Sequence, residues 1–192
     1  MTTHNRSPVS HWVSRFAQMI PRHEHHRVLD YACGTGRHAL YLSQLGFPVL
    51  GIDKDEASLN ILRDDLIACQ PSELELRCID LEQEVFSFAD TREKFAGLVV
   101  TNYLYRPHLA QLLEILDEGG VFIYETFALG NEKFGKPSNP DYLLKDNELL
   151  EVVMASQSFR IIAFESLYVE DPKPAMIQRI CAIRTKDWAT IL

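Results

Sequence analysis

Three aspartates in the first half of the chain stand where side chains could bind a small polar ligand. Asp30 lies inside a short apolar run just before the turn Gly34-Thr35-Gly36, and Asp53 and Asp80 each follow a further apolar run. A carboxylate can accept hydrogen bonds from the two hydroxyls of a ribose, from the amino group of a base, or from an ammonium group. The spacing therefore predicts a binding site built from the ends of successive strands.

The glycine turn fits such a site. Glycine lets the backbone approach a ligand closely, and the helix that follows offers free N–H groups in its first turn. Asp53 follows Gly34 by 19 residues, a position from which an acid can hold a ribose and repel a 2′-phosphate. Asp80 is placed to accept from an adenine amino group. Together these residues predict a ligand that contains adenosine.

Asp30 separates two classes of adenosine ligand. Gly34, Gly36 and Ala39 fit the loose dinucleotide fingerprint, which leaves an NAD-dependent oxidoreductase as an alternative. A carboxylate before the glycines would repel a pyrophosphate, whereas it would attract an ammonium group. A chain of 192 residues also leaves no space for a second, catalytic domain. Both arguments favour a ligand with an ammonium group over a dinucleotide.

Alternating strands and helices must bring these acids together. Such alternation predicts the α/β fold class, with a parallel sheet between two helical layers, and the last two strands lack room for a crossover helix and must pair antiparallel. The pair Gly119-Gly120 is expected to turn into the fifth strand. Strands are predicted at 28–31, 48–52, 74–79, 97–101, 121–125, 159–168 and 176–183, and helices at about 38–45, 56–69, 107–116 and 147–155.

The segment from Val28 to Asp53, with Asp80 and the carboxyl-terminal hairpin, resembles the class I S-adenosylmethionine-dependent methyltransferases. The resemblance covers about 27–184 and implies a Rossmann-like, seven-stranded, three-layer fold with S-adenosyl-L-methionine as cofactor. One departure is Ala32, where the family commonly has glycine and where we expect an ordinary backbone conformation. Another is the connection after Asp80, which has little helical pattern. The run Cys33-Gly34-Thr35-Gly36-Arg37-His38 followed by Leu40-Tyr41-Leu42 is particularly similar to the small tellurite-resistance-type methyltransferases.

The resemblance also implies roles for individual residues. Asp30 would lie near the ammonium group of the donor, Asp53 would hold its ribose, and Asp80 with the backbone of Leu81 would bind adenine. The residues implied around the cofactor are Asp30, Ala32, Gly34, Gly36, Asp53, Lys54, Asp80, Leu81 and Asn102.

Methyl transfer from a sulfonium is an in-line displacement, so the protein mainly supplies positioning and a dry site. A thiolate acceptor needs no general base, whereas an oxygen or nitrogen acceptor can need one. The catalytic candidates are Asn102, Tyr103 and Glu125. Nearby polar residues could equally form wall or surface; they are Tyr105, Arg106 and His108.

A small-molecule acceptor is favoured over nucleic acid. The net charge is −8, from 19 basic and 27 acidic residues, and a phosphate backbone is usually bound by a concentrated basic surface. The run Thr101-Asn102-Tyr103-Leu104-Tyr105 also lacks the proline pair typical of enzymes that methylate the exocyclic amines of nucleic acids. The alternative is a non-catalytic S-adenosylmethionine-binding or adaptor protein. The oligomeric state is not indicated.

The sequence predicts one cytoplasmic domain with a short amino-terminal arm and no membrane-spanning segment. Residues 1–22 form the helical arm, with Ser7 as cap and Pro8 as first helical residue, and residues 23–192 form the methyltransferase domain. The arm either docks on the domain or covers the pocket. Four cysteines without a C-x-x-C pair, and His23-Glu24-His25-His26 without a third ligand, predict free thiols and no metal site.

The stretch Thr126–Leu144 is a long connection after the fifth strand, rich in aromatic residues, glycine and proline. A structureless connection of this length is usually functional. We expect an acceptor-facing lid, with a plain surface excursion as the alternative. Lysines along it could attract an anionic acceptor; they are Lys133, Lys136 and Lys145.

Overall fold

A computed structural model describes residues 7–22, 26–69 (for 67–69 the backbone only), 73–82 and 93–185. Its centre is a seven-stranded sheet in the order β3-β2-β1-β4-β5-β7-β6. The first five strands are parallel, and β7 runs antiparallel to both β5 and β6. This arrangement confirms the predicted sheet. The strands are β1 (Arg27–Tyr31), β2 (Val49–Asp53), β3 (Leu74–Cys78), β4 (Phe95–Thr101), β5 (Leu116–Phe127), β6 (Phe159–Val169) and β7 (Ala175–Arg184).

Helices cover both faces of the sheet. Two clusters of buried apolar side chains hold them, one under the first three helices and one under the last two. Short 3-10 turns occur at Ala17–Met19, Arg106–His108, Asn131–Lys133 and Pro140–Tyr142. The helices are α1 (His11–Phe16), α2 (Arg37–Gln44), α3 (Glu56–Cys69), α4 (Leu109–Glu114) and α5 (Glu148–Ala155).

β4 shows why the sequence builds this sheet. The strand is buried at every position but the last, as expected for a parallel strand covered on both faces. Because successive side chains point to opposite faces, Leu98 and Val100 join the cluster under α4 and α5. Val99, between them, joins the cluster that holds α1 and α2. Ala96 joins that cluster as well, because the strand is irregular between Phe95 and Gly97.

The start of α1 differs from the prediction. Ser10 is its cap, and the Ser10 hydroxyl accepts from the backbone N–H of Trp12 at 3.1 Å. The dipeptide Ser7-Pro8 precedes the helix, so the expectation that Ser7 caps it was wrong. Trp12, Val13 and Phe16 are buried in the core, so α1 docks on the sheet as a structural element. The division into an arm at 1–22 and a domain at 23–192 stays a prediction.

The beginning of β5 also differs. The strand starts at Leu116, which pairs with Phe95, and the register then jumps so that Gly97 pairs with Val121. Gly119 has a φ of 80° and lies inside this irregularity, so the two glycines form a bulge within the strand and not a turn before it. For the same reason α4 ends at Glu114, two residues before its expected end at Leu116.

The connection after β5 is not structureless, contrary to expectation. β5 itself continues to Phe127, and Ala128 forms an isolated bridge with Leu144. Asn131 is buried, where its Nδ2 donates to the Pro137 carbonyl at 2.9 Å and its Oδ1 accepts from the Met176 N–H at 3.2 Å. Side-chain hydrogen bonds therefore fold this segment locally.

Several expectations concern residues that the structure does not describe, namely His23 to His25 and residues 83–92 of the connection after Asp80. Cys33, Cys78 and Cys181 are free thiols. Within the described ranges, no cluster of three or more histidine, cysteine or acidic side chains could hold a metal ion. No described helix is long and apolar enough to span a bilayer.

Candidate active site

The turn between β1 and α2 has a left-handed backbone at three positions. The φ angles are 57° at Ala32, 54° at Gly34 and 77° at Gly36. A Cβ on Gly36 would lie 2.2 Å from Cδ2 of Leu62, so this glycine lets α2 and α3 pack closely. A Cβ on Gly34 would meet nothing within 4 Å. The space beside Gly34 is therefore open to a ligand.

Ala32 corrects one expectation. An alanine was expected to demand an ordinary backbone conformation, yet its φ of 57° lies in the left-handed region. Such a conformation costs an L-residue roughly 1–2 kcal/mol. The glycine common at this position in the family would avoid that cost. The substitution is therefore tolerated with strain.

Asp30 is buried behind this turn, with 1% of its surface exposed. Burial raises the pKa of its carboxyl to about 7, although a hydrogen bond from the Ala39 backbone and the charge of Arg37 lower it. Its Oδ2 has no hydrogen-bond partner among the described residues. A buried carboxylate oxygen without a donor is costly. An ammonium group bound beside it would supply the missing donor.

Asp53 lies at the end of β2 and contacts the glycine turn. Its Oδ2 accepts from the Gly34 N–H at 2.7 Å, and its Oδ1 accepts from the Asp55 N–H at 2.9 Å. A carboxylate has about four lone-pair sites, so each oxygen can still accept from a hydroxyl. Next to it, the exposed Lys54 ammonium lies 3.6 Å from a carboxylate oxygen of Glu82.

Asp80 follows β3 on the same edge of the sheet. Its Oδ1 accepts from the Glu82 backbone N–H at 3.0 Å. Leu81 is buried, with 3% of its surface exposed. Since β1, β2 and β3 are neighbouring parallel strands, the acids that follow or end them share one edge. The structure thus brings Asp30, Asp53 and Asp80 together, as the sequence predicts.

Asn102 and Tyr103 follow β4. Asn102 has a φ of 56°, and its N–H donates to the Glu125 carbonyl at 2.9 Å, which joins the ends of β4 and β5. The Tyr103 ring packs edge-on against Tyr31. Its hydroxyl is buried without a partner among the described residues. Burial is the main cause that raises the pKa of Tyr103. The negative charges of three nearby carboxylates raise it further, namely those of Glu82, Asp80 and Asp53. Tyr103 therefore lies toward the acids of β2 and β3.

Glu125 lies on β5, in a network that the sequence did not indicate. Its Oε1 accepts from the Ser10 hydroxyl at 2.7 Å, and its Oε2 pairs with Nη1 of Arg179 at 3.0 Å. Arg179 also lies over the Trp12 ring. The hydrogen bond between Ser10 and Glu125 joins residues 115 positions apart, so no local sequence pattern could reveal it. A charged residue inside the apolar strand β7 was the available signal for Arg179.

His38 completes this network. The Ser10 N–H donates to its Nε2 at 3.2 Å, and its Nδ1 lies 3.3 Å from the Thr101 hydroxyl. Because Nε2 accepts, a neutral ring carries its proton on Nδ1. Burial, and then the charge of Arg37, lowers the pKa of His38 to about 3. This histidine is therefore neutral and holds the segment before α1 against the carboxyl end of β4.

The remaining polar candidates of this region have structural partners. Arg106 donates to the carbonyls of Asp141 at 2.6 Å and Leu143 at 2.7 Å, and pairs with Glu148 at 2.7 Å. His108 is buried, with its Nδ1 2.5 Å from the Tyr31 hydroxyl. Arg106 thus ties the connection after β5 to the start of α4.

Comparison with known proteins agrees with this arrangement. The family described as "Methyltransferase domain" matches residues 28–120. The chain is 30% identical over 129 residues to GWCH70_2453 of Geobacillus sp. (strain WCH70), which bears the name of a methyltransferase. That match covers 63% of this chain and 51% of the relative. The chain spans about half, or less, of the length of the curated relatives it matches.

Solved structures share the fold. TehB from Haemophilus influenzae superposes with a TM-score of 0.71 at 21% identity, over 93% of this chain and 63% of that one. Magnesium protoporphyrin IX methyltransferase (ChlM) from Synechocystis PCC 6803, with bound SAM, superposes with a TM-score of 0.62 at 16% identity. That superposition covers 91% of this chain and 75% of the other. Residues 28–120 therefore match a methyltransferase domain, the curated relatives bear the name of methyltransferases, and the chain shares the Rossmann-like fold of S-adenosylmethionine-dependent methyltransferases that the sequence predicts.

Proposed function

We propose that the chain transfers a methyl group from S-adenosylmethionine to a small-molecule acceptor. The observation that carries the proposal is the buried Asp30 carboxylate beside an open glycine turn, because no residue that the structure describes donates to its Oδ2. Asp53 and Asp80 stand on the same edge, at the ends of the next two strands. Together these groups fit a ligand with an ammonium group, a ribose and an adenine.

In this proposal each acid has one task. Asp30 accepts from the ammonium group, Asp53 from the two ribose hydroxyls, and Asp80 from the adenine amino group. Asp53 is already oriented by Gly34 and Asp55, so little ordering is needed when a ribose binds. Ala32, Gly34, Gly36, Lys54 and Leu81 are proposed to line the same cleft.

The bound donor supplies the activated methyl group on its sulfonium. Asn102 stands at the end of β4, where its exposed side chain can border the acceptor. Tyr103 keeps its proton, because its pKa is raised, so it acts as a wall or a hydrogen-bond donor. Glu125 is occupied by Ser10 and Arg179, which favours an anchoring role for it over that of a general base. A soft nucleophile that needs no base, such as a thiolate, suits this set of residues.

The acceptor is proposed to be a small molecule because of the charge of the chain. A net charge of −8 opposes binding to a phosphate backbone. Ser10 of the segment 7–10 contacts Glu125, and the connection at 126–144 directly follows Glu125 in the chain. We assign acceptor selection to these two segments. No observation favours the non-catalytic alternative.

The test is transfer of a labelled methyl group from S-adenosylmethionine to a panel of thiols, amines, phenols and carboxylates, with RNA and DNA as separate arms. We expect label in a small-molecule product and none in nucleic acid. Label in nucleic acid alone would contradict the acceptor class. Donor binding without transfer to any arm would support the adaptor alternative.

A further inference from the structure

We propose that the guanidinium of Arg37 binds the α-carboxylate of the donor's methionine part, and that Arg37 and Asp30 together recognise its amino-acid end. This inference rests on the proposed function, because it needs S-adenosylmethionine as the ligand. It adds a binding residue that the glycine motif does not include.

Arg37 occupies the right place. It is the first residue of α2, directly after the left-handed Gly36, and so it stands at the same turn as Gly34. Its charge acts on the carboxylates of Glu125 and Asp30. Its described side-chain hydrogen bond goes to the Pro8 carbonyl at 3.2 Å. A neutral carbonyl does not neutralise a guanidinium, so the charge remains available to an anion.

The chemistry of the ligand requires such a partner. In S-adenosylmethionine the ammonium and carboxylate groups are bonded to one carbon, so a group beside Asp30 brings a carboxylate with it. Asp30 itself would repel that carboxylate, because both are anions. Arg37 is half-buried, and its charge acts on Asp30. Its guanidinium would offset this repulsion and offers a planar fork that matches a carboxylate. The pair thus has complementary charges for both ends of a zwitterion.

The alternative is that Arg37 only holds Pro8, and so the segment before α1, in place. Arg22 provides a matched control for that role, since its Nη2 donates to the Leu45 carbonyl at 2.8 Å. Arg22 and Leu45 lie at the opposite end of α2 from the glycine turn. A methionine in place of either arginine keeps most of the unbranched apolar stem and removes the charged guanidinium.

The experiment is calorimetric titration with S-adenosylhomocysteine and with its decarboxylated analogue, which lacks only the carboxylate. For Arg37→Met we expect affinity for S-adenosylhomocysteine to fall about 10- to 100-fold, the range for a charge-assisted hydrogen bond. Affinity for the decarboxylated analogue should stay within about threefold of the parent. Arg37→Lys should recover part of the loss, and Arg22→Met should change neither affinity.

Two results would overturn the inference. An equal loss for both ligands in Arg37→Met would assign the residue a structural role, and no loss for either would leave it without a binding role. If the parent chain bound neither ligand, the proposed function itself would fail. Retained binding of the decarboxylated analogue shows that the variant is folded.

Discussion

The backbone N–H of Gly34 donates to Oδ2 of Asp53 at 2.7 Å. This bond joins the glycine turn after β1 to the end of β2, and the Asp55 N–H holds the other carboxylate oxygen at 2.9 Å. The position of Asp53 is therefore set before any ligand arrives. The same two contacts explain why a glycine turn and an acid 19 residues later act as one structural unit.

The first prediction concerns this pair. Asp53→Ala removes the proposed ribose acceptor and leaves the Gly34 N–H without its partner, so affinity for S-adenosylhomocysteine should fall at least about 10- to 100-fold. Isothermal titration calorimetry measures it. Asp55→Ala is the control, because Asp55 caps the start of α3 through Ala57 and Ser58. That variant should lose about 1 kcal/mol of stability and keep its affinity.

The second prediction concerns the stability of Asp30→Asn. In the folded chain the Asp30 carboxyl keeps its proton up to a pKa of about 7, whereas in the unfolded chain it ionises near pH 4. The parent chain therefore loses stability from this group as the pH rises from about 4 to 7. Asparagine does not titrate, so Asp30→Asn should be more stable by roughly 2–4 kcal/mol at pH 8. The advantage should vanish near pH 4.

Urea unfolding of both chains across this pH range measures that difference, with Asp64→Asn as the control on the exposed side of α3. The stabilised Asp30→Asn chain should nevertheless lose most of its affinity for S-adenosylhomocysteine. A variant that gained no stability at pH 8 would contradict the raised pKa.

The third prediction concerns donor binding by the parent chain. Binding of an ammonium group needs the ionised form of Asp30, so affinity for S-adenosylhomocysteine should fall about tenfold per pH unit below about 7. Titrations between pH 5 and 8 measure this slope. A pH-independent affinity would show that another group holds the ammonium.

The fourth prediction concerns the strain at Ala32. Ala32→Gly removes the strain of a left-handed alanine, but it also raises the conformational entropy of the unfolded chain. The free energy of unfolding should therefore rise by at most about 1 kcal/mol. Ala32→Val should lose at least about 1 kcal/mol, because a β-branched residue fits this conformation poorly. Ala39→Gly, inside α2, should lose about 1 kcal/mol or more. Equal losses for the two glycine variants in urea unfolding would contradict the strain at Ala32.

The fifth prediction concerns Arg106, which ties down the connection after β5. Arg106→Met should release the carbonyls of Asp141 and Leu143, and amide hydrogen exchange at 129–145 should become faster. Arg184→Met is the control. It removes a similar set of carbonyl contacts at Leu113, Glu114 and Leu116 and should leave exchange at 129–145 unchanged. Unchanged exchange in Arg106→Met would mean that other contacts hold the connection.

The sheet could be predicted because its strands are short apolar runs. β4 is buried on both faces, and two acids of the proposed site, Asp53 and Asp80, end or closely follow such runs. The bulge in β5 could not be predicted from local pattern, since Gly119-Gly120 also fits a turn. Its place is set by the pairing of Leu116 with Phe95, a contact made only in the folded sheet.

The proposed donor site was more predictable than the acceptor side, because its residues lie close together in the sequence. Asp30, Gly34 and Asp53 lie within one strand–turn–helix–strand unit, so their spacing in the sequence reflects their spacing in the fold. The contacts of Glu125 reach Ser10 and Arg179, which are 115 and 54 residues away. Such long-range contacts depend on the order of the strands, which no local pattern records.

The binding of S-adenosylmethionine by the parent chain decides whether Asp30, Asp53 and Asp80 form a donor site. In calorimetric titrations at neutral pH, we expect saturable binding of both S-adenosylmethionine and S-adenosylhomocysteine with one site per chain. NAD should give no binding heat under the same conditions. Binding of NAD, or the lack of binding of both S-adenosyl compounds at millimolar concentration, would contradict this assignment.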